Sequence, residues 1–462
     1  MTLEQRSDDL QHTPTGKSVV VIGTGAAGTA SARALASAGF DVTVIERGKV
    51  GGTCLWHGCM PKKALYTAAA ARRERVRSEQ FGLSACDPEF DWPTVLAWKW
   101  HVQETYAGDQ GEGFRSRGIA LVKGSARFLS PDTIEVDGKV FEPDHIIIAT
   151  GSRPTLPPID GIGLSDTSDD AIGFPEPPAT LLIVGGGFIG TEFAAIYASF
   201  GTRVTLVTSA ERLLDMLDAE VAAIATHHLA QLGVEVHVGC RMGGLSGTRG
   251  AVGASFTDTD SNVHEGTYER VLVATGRAPA LADLDCEAAG IETDGRGHVV
   301  VDRFLRTTNP RVWVAGDAAG GMMQTPVAAY EGRTIAESIA TGSPVAPDCS
   351  VVPTAVFTSP QIAQVGMSEE SATAAGISYR VSRLPYEYLG AAIAEDVRDG
   401  LVKLLFAEKD DRLLGAHIAG YGASDLIYAM AIAMRHEATS VSLRETIAIH
   451  PAFHESLNWA SY

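Results

Sequence analysis

Residues 17–29 read KSVVVIGTGAAGT, an apolar, β-branched run that enters a glycine-rich turn. Small, helix-compatible residues follow (ASARALASAG, 30–39), and then a second strand-like run, DVTVIE, that ends at Glu46. This order predicts the strand–turn–helix–strand unit of a dinucleotide-binding α/β fold. Each glycine has its own task there. Gly23 permits the tight turn, Gly25 lets the backbone approach a pyrophosphate, and Gly28 lets the helix pack closely on the strand. The phosphates would sit at the helix N-terminus, where free N–H groups and the helix dipole favour an anion. Glu46, at the tip of the second strand, is placed to bind ribose hydroxyls.

The pattern returns about 160 residues later in TLLIVGGGFIGTEFAAIYASFGTRVTLV (180–207). Two such units imply two dinucleotides. Gly185, Gly187 and Gly190 repeat the spacing of the first loop, with Phe188 just after the turn. The strand that follows ends Val207-Thr208-Ser209, with no acid at its tip. A carboxylate there would favour NAD and repel the 2′-phosphate of NADP, so its absence favours NADPH over NADH. Arg212 could bind that phosphate or be a solvated surface charge. Two further segments rhyme: HIIIATGSRP (145–154) and RVLVATGRAP (270–279). Each is an apolar strand running into Ala-Thr-Gly, which puts Thr150 and Gly151 beside the first nucleotide and Gly276 beside the second.

Bulk properties narrow the function. A formal net charge of −19 argues against a nucleic-acid or anionic-membrane partner, since both reward clustered Lys and Arg. The first 16 residues lack the basic start and apolar stretch of a signal peptide and read as a disordered tail. No run of about 18 apolar residues is present, so no transmembrane helix is expected, and the cytoplasm is the expected location. Six cysteines are scattered except for Cys54 and Cys59, which rules out a disulfide scaffold.

That pair lies in GGTCLWHGCMPKK (51–63). Two cysteines separated by four residues, at a turn entering a helix, can close a small disulfide, and a helix N-terminus lowers a thiol pKa. Half of a zinc site and a pair of packed thiols are the other readings. Zinc needs about four ligands, and no second close Cys/His pair is evident, so no metal site is expected.

Taken together, GTGAAG, GGTCxxxxCMPKK, ATGSRP, GGGFIGTE, ATGRAP, VAGDAA and the ending IHPAFHE resemble the class I pyridine nucleotide–disulfide oxidoreductases. This is the family of glutathione reductase, dihydrolipoamide dehydrogenase and mercuric reductase. The resemblance runs from about residue 17 to 462. It implies an α/β fold with two Rossmann-like dinucleotide-binding domains, one for FAD and one for NAD(P), plus a C-terminal α+β dimerisation domain. The expected divisions are a tail at 1–16, an FAD domain at 17–155, an NAD(P) domain at 156–278, a central domain at 279–348 completing the FAD site, and an interface domain at 349–462. By resemblance FAD lies on the Gly23–Gly28 loop, with Glu46 on the adenosine ribose, Thr53 near the phosphates and Asp317 on the ribityl chain. Lys63 and Glu192 would pair beside the flavin N5, and Phe188 would gate the nicotinamide pocket. Cys59 would be the flavin-proximal thiol and Cys54 the thiol that attacks substrate. His450 and Glu455 match a His-Pro-x-x-x-Glu ending, in which the histidine acts as acid–base on the partner's cysteines in a homodimer.

The implied activity is transfer of two electrons from NAD(P)H through FAD and the Cys54–Cys59 disulfide to a small disulfide substrate. The chain lacks the C-terminal cysteine pair usual in mercuric reductases, and the acid that dihydrolipoamide dehydrogenases carry at Thr208. Arg33 falls where glutathione reductase has a glutathione-binding arginine, but Ser338 falls where a second would be expected. The alternatives are dihydrolipoamide oxidation, a transhydrogenase, and a quinone or metal reductase. A redox-sensing flavoprotein is a third class.

Overall fold

The computed structural model describes residues 14–83 and 89–462. Most of the expected N-terminal tail, and Cys86, lie outside the described residues. The described chain forms two compact units. One comprises 14–61, 100–154 and 277–348; the other comprises 62–83, 89–99, 155–276 and 349–462.

The first unit is built on a five-stranded parallel sheet in the order Val312–Val314, His145–Ile148, Ser18–Ile22, Asp41–Glu46, Ala120–Lys123. Successive side chains on a strand face opposite sides, and the sequence SVVVI is apolar throughout, so both faces are covered. Val19 and Val21 pack with Leu35 and Ala32 of helix α1 (Ala26–Ser37). Val20 and Ile22 pack on the other side with Phe128 and Ile134, which belong to a three-stranded antiparallel sheet. A side chain at Gly332 would overlap the Ala27 carbonyl, so glycine there lets the helix Thr325–Thr341 lie close against α1.

In the second unit a four-stranded parallel sheet runs Glu235–His237, Arg203–Val207, Thr180–Val184, Arg270–Val273. The helix Phe188–Ser199 follows the second glycine turn and is buried almost all round. From Thr354 the chain forms a five-stranded antiparallel sheet in the order Thr354–Val356, Gln361–Gly366, Leu413–Gly420, Leu401–Ala407, Tyr379–Pro385. Its apolar residues meet Ile427, Met430 and Ala431 of the helix Ala423–Arg435. This is the α+β character expected of the terminal region. Ile447, Ile449, Tyr428 and Tyr462 of this region remain exposed.

Three helices follow α1 and position the cysteines: α2 (Gly52–Trp56), α3 (Cys59–Arg77) and α4 (Trp92–Ala107).

Candidate active site

The two glycine turns are built alike. Gly23 has φ +106° and Gly185 φ +120°, both in the region that favours glycine. A side chain at Gly28 would strike the Gly23 carbonyl, and one at Gly190 would strike the Gly185 carbonyl. Gly25 and Gly187 cap their helices with extended backbone and no side-chain cap. The first N–H groups of both helices are thus left for an anion. Open space lies in front of Gly25.

This cradle fits a flavin dinucleotide. The Thr150 hydroxyl is buried without a partner, an orphan that a polar ligand would satisfy. Asp317 Oδ2 accepts from Ser152 Oγ at 2.5 Å, and Arg277 Nε donates to that hydroxyl at 2.8 Å. Glu46 sits at its strand tip with Oε2 accepting from Thr24 N–H (3.1 Å) and Oγ1 (2.6 Å), while Oε1 accepts from Gly48 N–H (2.7 Å). A ribose hydroxyl there would use the remaining lone pairs. Gly151 and Gly276 both have positive φ and open space around them.

Cys54 lies within α2, and Cys59 is the first residue of the 19-residue α3. Cys54 is half-buried. Hydrogen bonding to the Cys59 sulfur, reinforced by burial, pushes the Cys54 thiol far up. Cys59 is exposed, begins a long helix, and has its sulfur 3.3 Å from Thr325 Oγ1. A helix N-terminus stabilises a thiolate. Thr53 precedes Cys54 in the first turn of α2, half-buried.

Two expectations need correction. The partner of Glu192 is Lys62, whose Nζ donates to Glu192 Oε2. Lys63 instead lies 3.8 Å from the centre of the Phe357 ring and 4.8 Å from that of Tyr66. Burial holds the Lys63 ammonium below its ordinary pKa. Glu192 is buried and also accepts from the Phe357 N–H at 2.8 Å. The second correction concerns Arg212. Its Nη2 donates to the carbonyls of Asp215 and Leu217 (both 3.1 Å) and pairs with Glu370 at 3.2 Å. Its guanidinium is committed to this loop rather than held out for a phosphate. Thr208 is buried at the strand tip, and Phe188 opens its helix, half-buried. Arg33 donates to Gln110 Oε1 at 3.3 Å, and Ser338 is buried, bonded to the Thr334 carbonyl at 3.0 Å.

His450 Nδ1 lies 2.9 Å from Glu455 Oε1, and the other carboxylate oxygen accepts from the Ala452 N–H at 2.8 Å. The His450 side chain is 69% exposed and that of Glu455 only 6%. A buried carboxylate thus fixes one ring nitrogen and leaves the other facing outward. Burial raises the Glu455 carboxyl pKa, but the Ala452 N–H and the His450 ring outweigh it, and the net shift is downward. A depressed carboxyl contributes stability above its ordinary value near 4.5 and loses it as pH falls through the folded-state value. Exchange of the Ala452 amide, corrected for intrinsic rate, should therefore accelerate below about pH 4.5. In Glu455→Gln no such transition should appear. A flat wild-type profile would contradict the assignment.

Comparison with known proteins now decides the family. Residues 17–332 match the model of the pyridine nucleotide-disulphide oxidoreductases, and residues 352–461 match that family's dimerisation domain. The chain is a pyridine nucleotide-disulphide oxidoreductase. The family is FAD-dependent and uses NAD(P)H. The chain is 34% identical over 453 residues to the dihydrolipoyl dehydrogenase of Halobacterium salinarum, covering 96% of this chain and 95% of that protein. It is 31% identical over 435 residues to the glutathione reductase of Burkholderia cepacia, covering 94% and 96%. It is also similar to the solved HOCl-induced flavoprotein disulfide reductase RclA of Escherichia coli, with TM-score 0.86, 29% identity and coverage of 96% and 98%. These proteins carry different names while matching this oxidoreductase over nearly its whole length, so similarity alone does not choose a substrate. The dimerisation domain supports a homodimer. Among the described residues no helix is long and apolar enough to cross a membrane, and no cluster of His, Cys, Asp or Glu is arranged to hold a metal.

Proposed function

We propose that this oxidoreductase passes two electrons from NAD(P)H, through FAD and the Cys54–Cys59 couple, to a small disulfide. The observation that carries the reading is the placement of Cys54 in α2 and Cys59 at the start of α3, close enough for their side chains to hydrogen-bond. FAD would be held by Gly23, Gly25, Gly28, Glu46, Thr53, Thr150, Gly151 and Asp317, and when bound it supplies the two-electron link between nicotinamide and cysteines. The nicotinamide nucleotide would be held by Gly185, Gly187, Phe188, Gly190 and Gly276, beside the Lys62–Glu192 pair. The dinucleotide domains would divide near 155 and 278, and the enzyme would work in the cytoplasm.

His450, acting across the dimer interface, takes the proton of Cys54. The Cys54 thiolate attacks one sulfur of the substrate; that S–S bond breaks, and the leaving thiolate takes the proton back from His450. Cys59 then attacks the Cys54 sulfur of the mixed disulfide. The second substrate sulfur departs with the proton of Cys59 as the Cys54–Cys59 disulfide closes, to be reopened by the hydride equivalent of NAD(P)H and a proton from solvent. Glu455 orients the imidazole throughout.

The missing acid at Thr208 favours NADPH, but with Arg212 engaged elsewhere no guanidinium from that loop is held for the 2′-phosphate. The preference should therefore be modest, with kcat/KM for NADPH exceeding that for NADH by less than about 10-fold, which is about 1.4 kcal/mol. The test is a steady-state assay with both nucleotides against glutathione disulfide, lipoamide, mycothiol-type and bis-cysteinyl disulfides, Hg(II) and quinones. Turnover with a disulfide at more than tenfold the rate of every quinone is expected. Activity confined to quinones or Hg(II) would overturn the reading.

A further inference from the structure

Lys403 is buried in the second unit with three carboxylates around its ammonium: both oxygens of Asp218 at 2.9 Å, Glu220 at 2.7 Å and Glu369 at 2.6 Å. Lys403 pairs across the terminal antiparallel sheet with His417, and His417 pairs with Gln364. Directly opposed residues point to the same face of a sheet, so the three form a polar row. His417 is wholly buried, with Nε2 2.9 Å from the Met367 carbonyl and Nδ1 3.3 Å from Gln364 Oε1. The row grips one short loop. Gln364 Oε1 accepts from the Asp218 N–H at 3.1 Å, and its Nε2 donates to the Met216 carbonyl at 3.3 Å. These partners fix the amide's orientation, because a flip would set donor against donor and oxygen against oxygen.

The same loop holds the second glycine turn. The Leu214 N–H donates to the Gly186 carbonyl at 2.8 Å. Gly186 lies so close to Thr208 and Leu213 that a side chain there would crowd both. Met216 is exposed, with its methyl beside Gly187. Leu214 itself has φ +51°, a left-handed conformation that a residue other than glycine keeps only where its surroundings enforce it. Beyond Leu214 the chain is fixed by Gln364 at Met216, and by Gln364 and Lys403 at Asp218.

We propose that Gln364 is a positioning residue for the nicotinamide nucleotide, its amide setting the Leu213–Asp218 loop against the Gly185–Gly190 turn. Gln364 belongs to the dimerisation domain, so the nucleotide site is set in part from the segment that pairs the subunits. Lys403 and Asp218 close the same joint, but removing either would leave a buried charge unpaired. Gln364 can be changed without that penalty. The proposal rests on the reading that the second glycine turn holds NAD(P).

The test uses the FAD-loaded dimer and two variants. Gln364→Met keeps the side-chain length and removes both polar groups; Gln364→Glu keeps an acceptor for the Asp218 N–H but sets a carboxylate oxygen against the Met216 carbonyl. Binding of NADP+ and NAD+ is measured by calorimetry. Each variant should weaken both nucleotides about 5-fold, the scale of one net hydrogen bond. In steady state KM for NAD(P)H should rise while kcat and the KM for the disulfide stay near wild type, as loss of uniform binding predicts. An amide with a merely structural role would lower the melting temperature and leave nucleotide affinity alone. Folded, dimeric variants that bind both nucleotides within about twofold of wild type therefore overturn the proposal. So does a loss shared equally with FAD retention and the disulfide KM, which marks general loosening. Should Gln364→Met not fold, Gln364→Glu decides alone. A wild-type enzyme that binds neither nucleotide would instead sink the reading of the second turn.

Discussion

Cys54→Ser should abolish disulfide turnover, by more than about 10⁴-fold, because a serine hydroxyl cannot replace the attacking thiolate. Reduction of an artificial quinone by NAD(P)H should persist, since Cys54 is needed only after electrons reach the couple. The paired measurement separates the candidate reaction classes. A transhydrogenase or quinone reductase would keep its physiological activity after this change; a disulfide reductase would not. The expectation follows from the proposed role of Cys54 as the attacking sulfur. Cys54 retains its proton because it is hydrogen-bonded to Cys59 and buried, so Cys54 is the sulfur that needs a base, and deleting it removes the atom that base serves. Disulfide turnover surviving at more than about 1% of wild type would reject the relay.

His450→Ala should slow disulfide turnover by about 10²–10⁴-fold, the usual scale for a positioned acid–base group. NAD(P)H oxidation with an artificial acceptor should be unaffected. His450 is exposed and has its Nδ1 bonded to buried Glu455, an arrangement suited to serving a second subunit. Co-refolding or co-expressing Cys54→Ser with His450→Ala chains provides the direct check. In a mixed dimer one active centre would combine an intact cysteine pair with an intact histidine, and activity should reappear. Mixed dimers that form yet stay inactive would place His450 outside the partner's centre.

The parts of this molecule that the sequence made legible are those governed by backbone sterics. Gly23, Gly28, Gly185 and Gly190 occupy positions where a Cβ would strike a carbonyl, and such constraints leave fixed spacings in the chain. The cysteine pair and the His450–Glu455 pair were legible for a similar reason, since each is local: the two groups of each pair stand five positions apart. Long-range partners were not. Lys62 and Lys63 stand three and four residues after Cys59, and on a helix both spacings share a face. What separates them is the packing of Tyr66 and Phe357 around Lys63, which no local pattern announces. The choice between the two readings of Arg212 was not legible either, because its engagement with Asp215, Leu217 and Glu370 depends on how the loop turns back.

The two glycine turns rest on separate sheets, each with its own apolar packing. A change at the Thr208 strand tip therefore leaves the framework of the other sheet intact. Such independence would let nucleotide preference change by a few replacements at one strand tip, without rebuilding the other sheet.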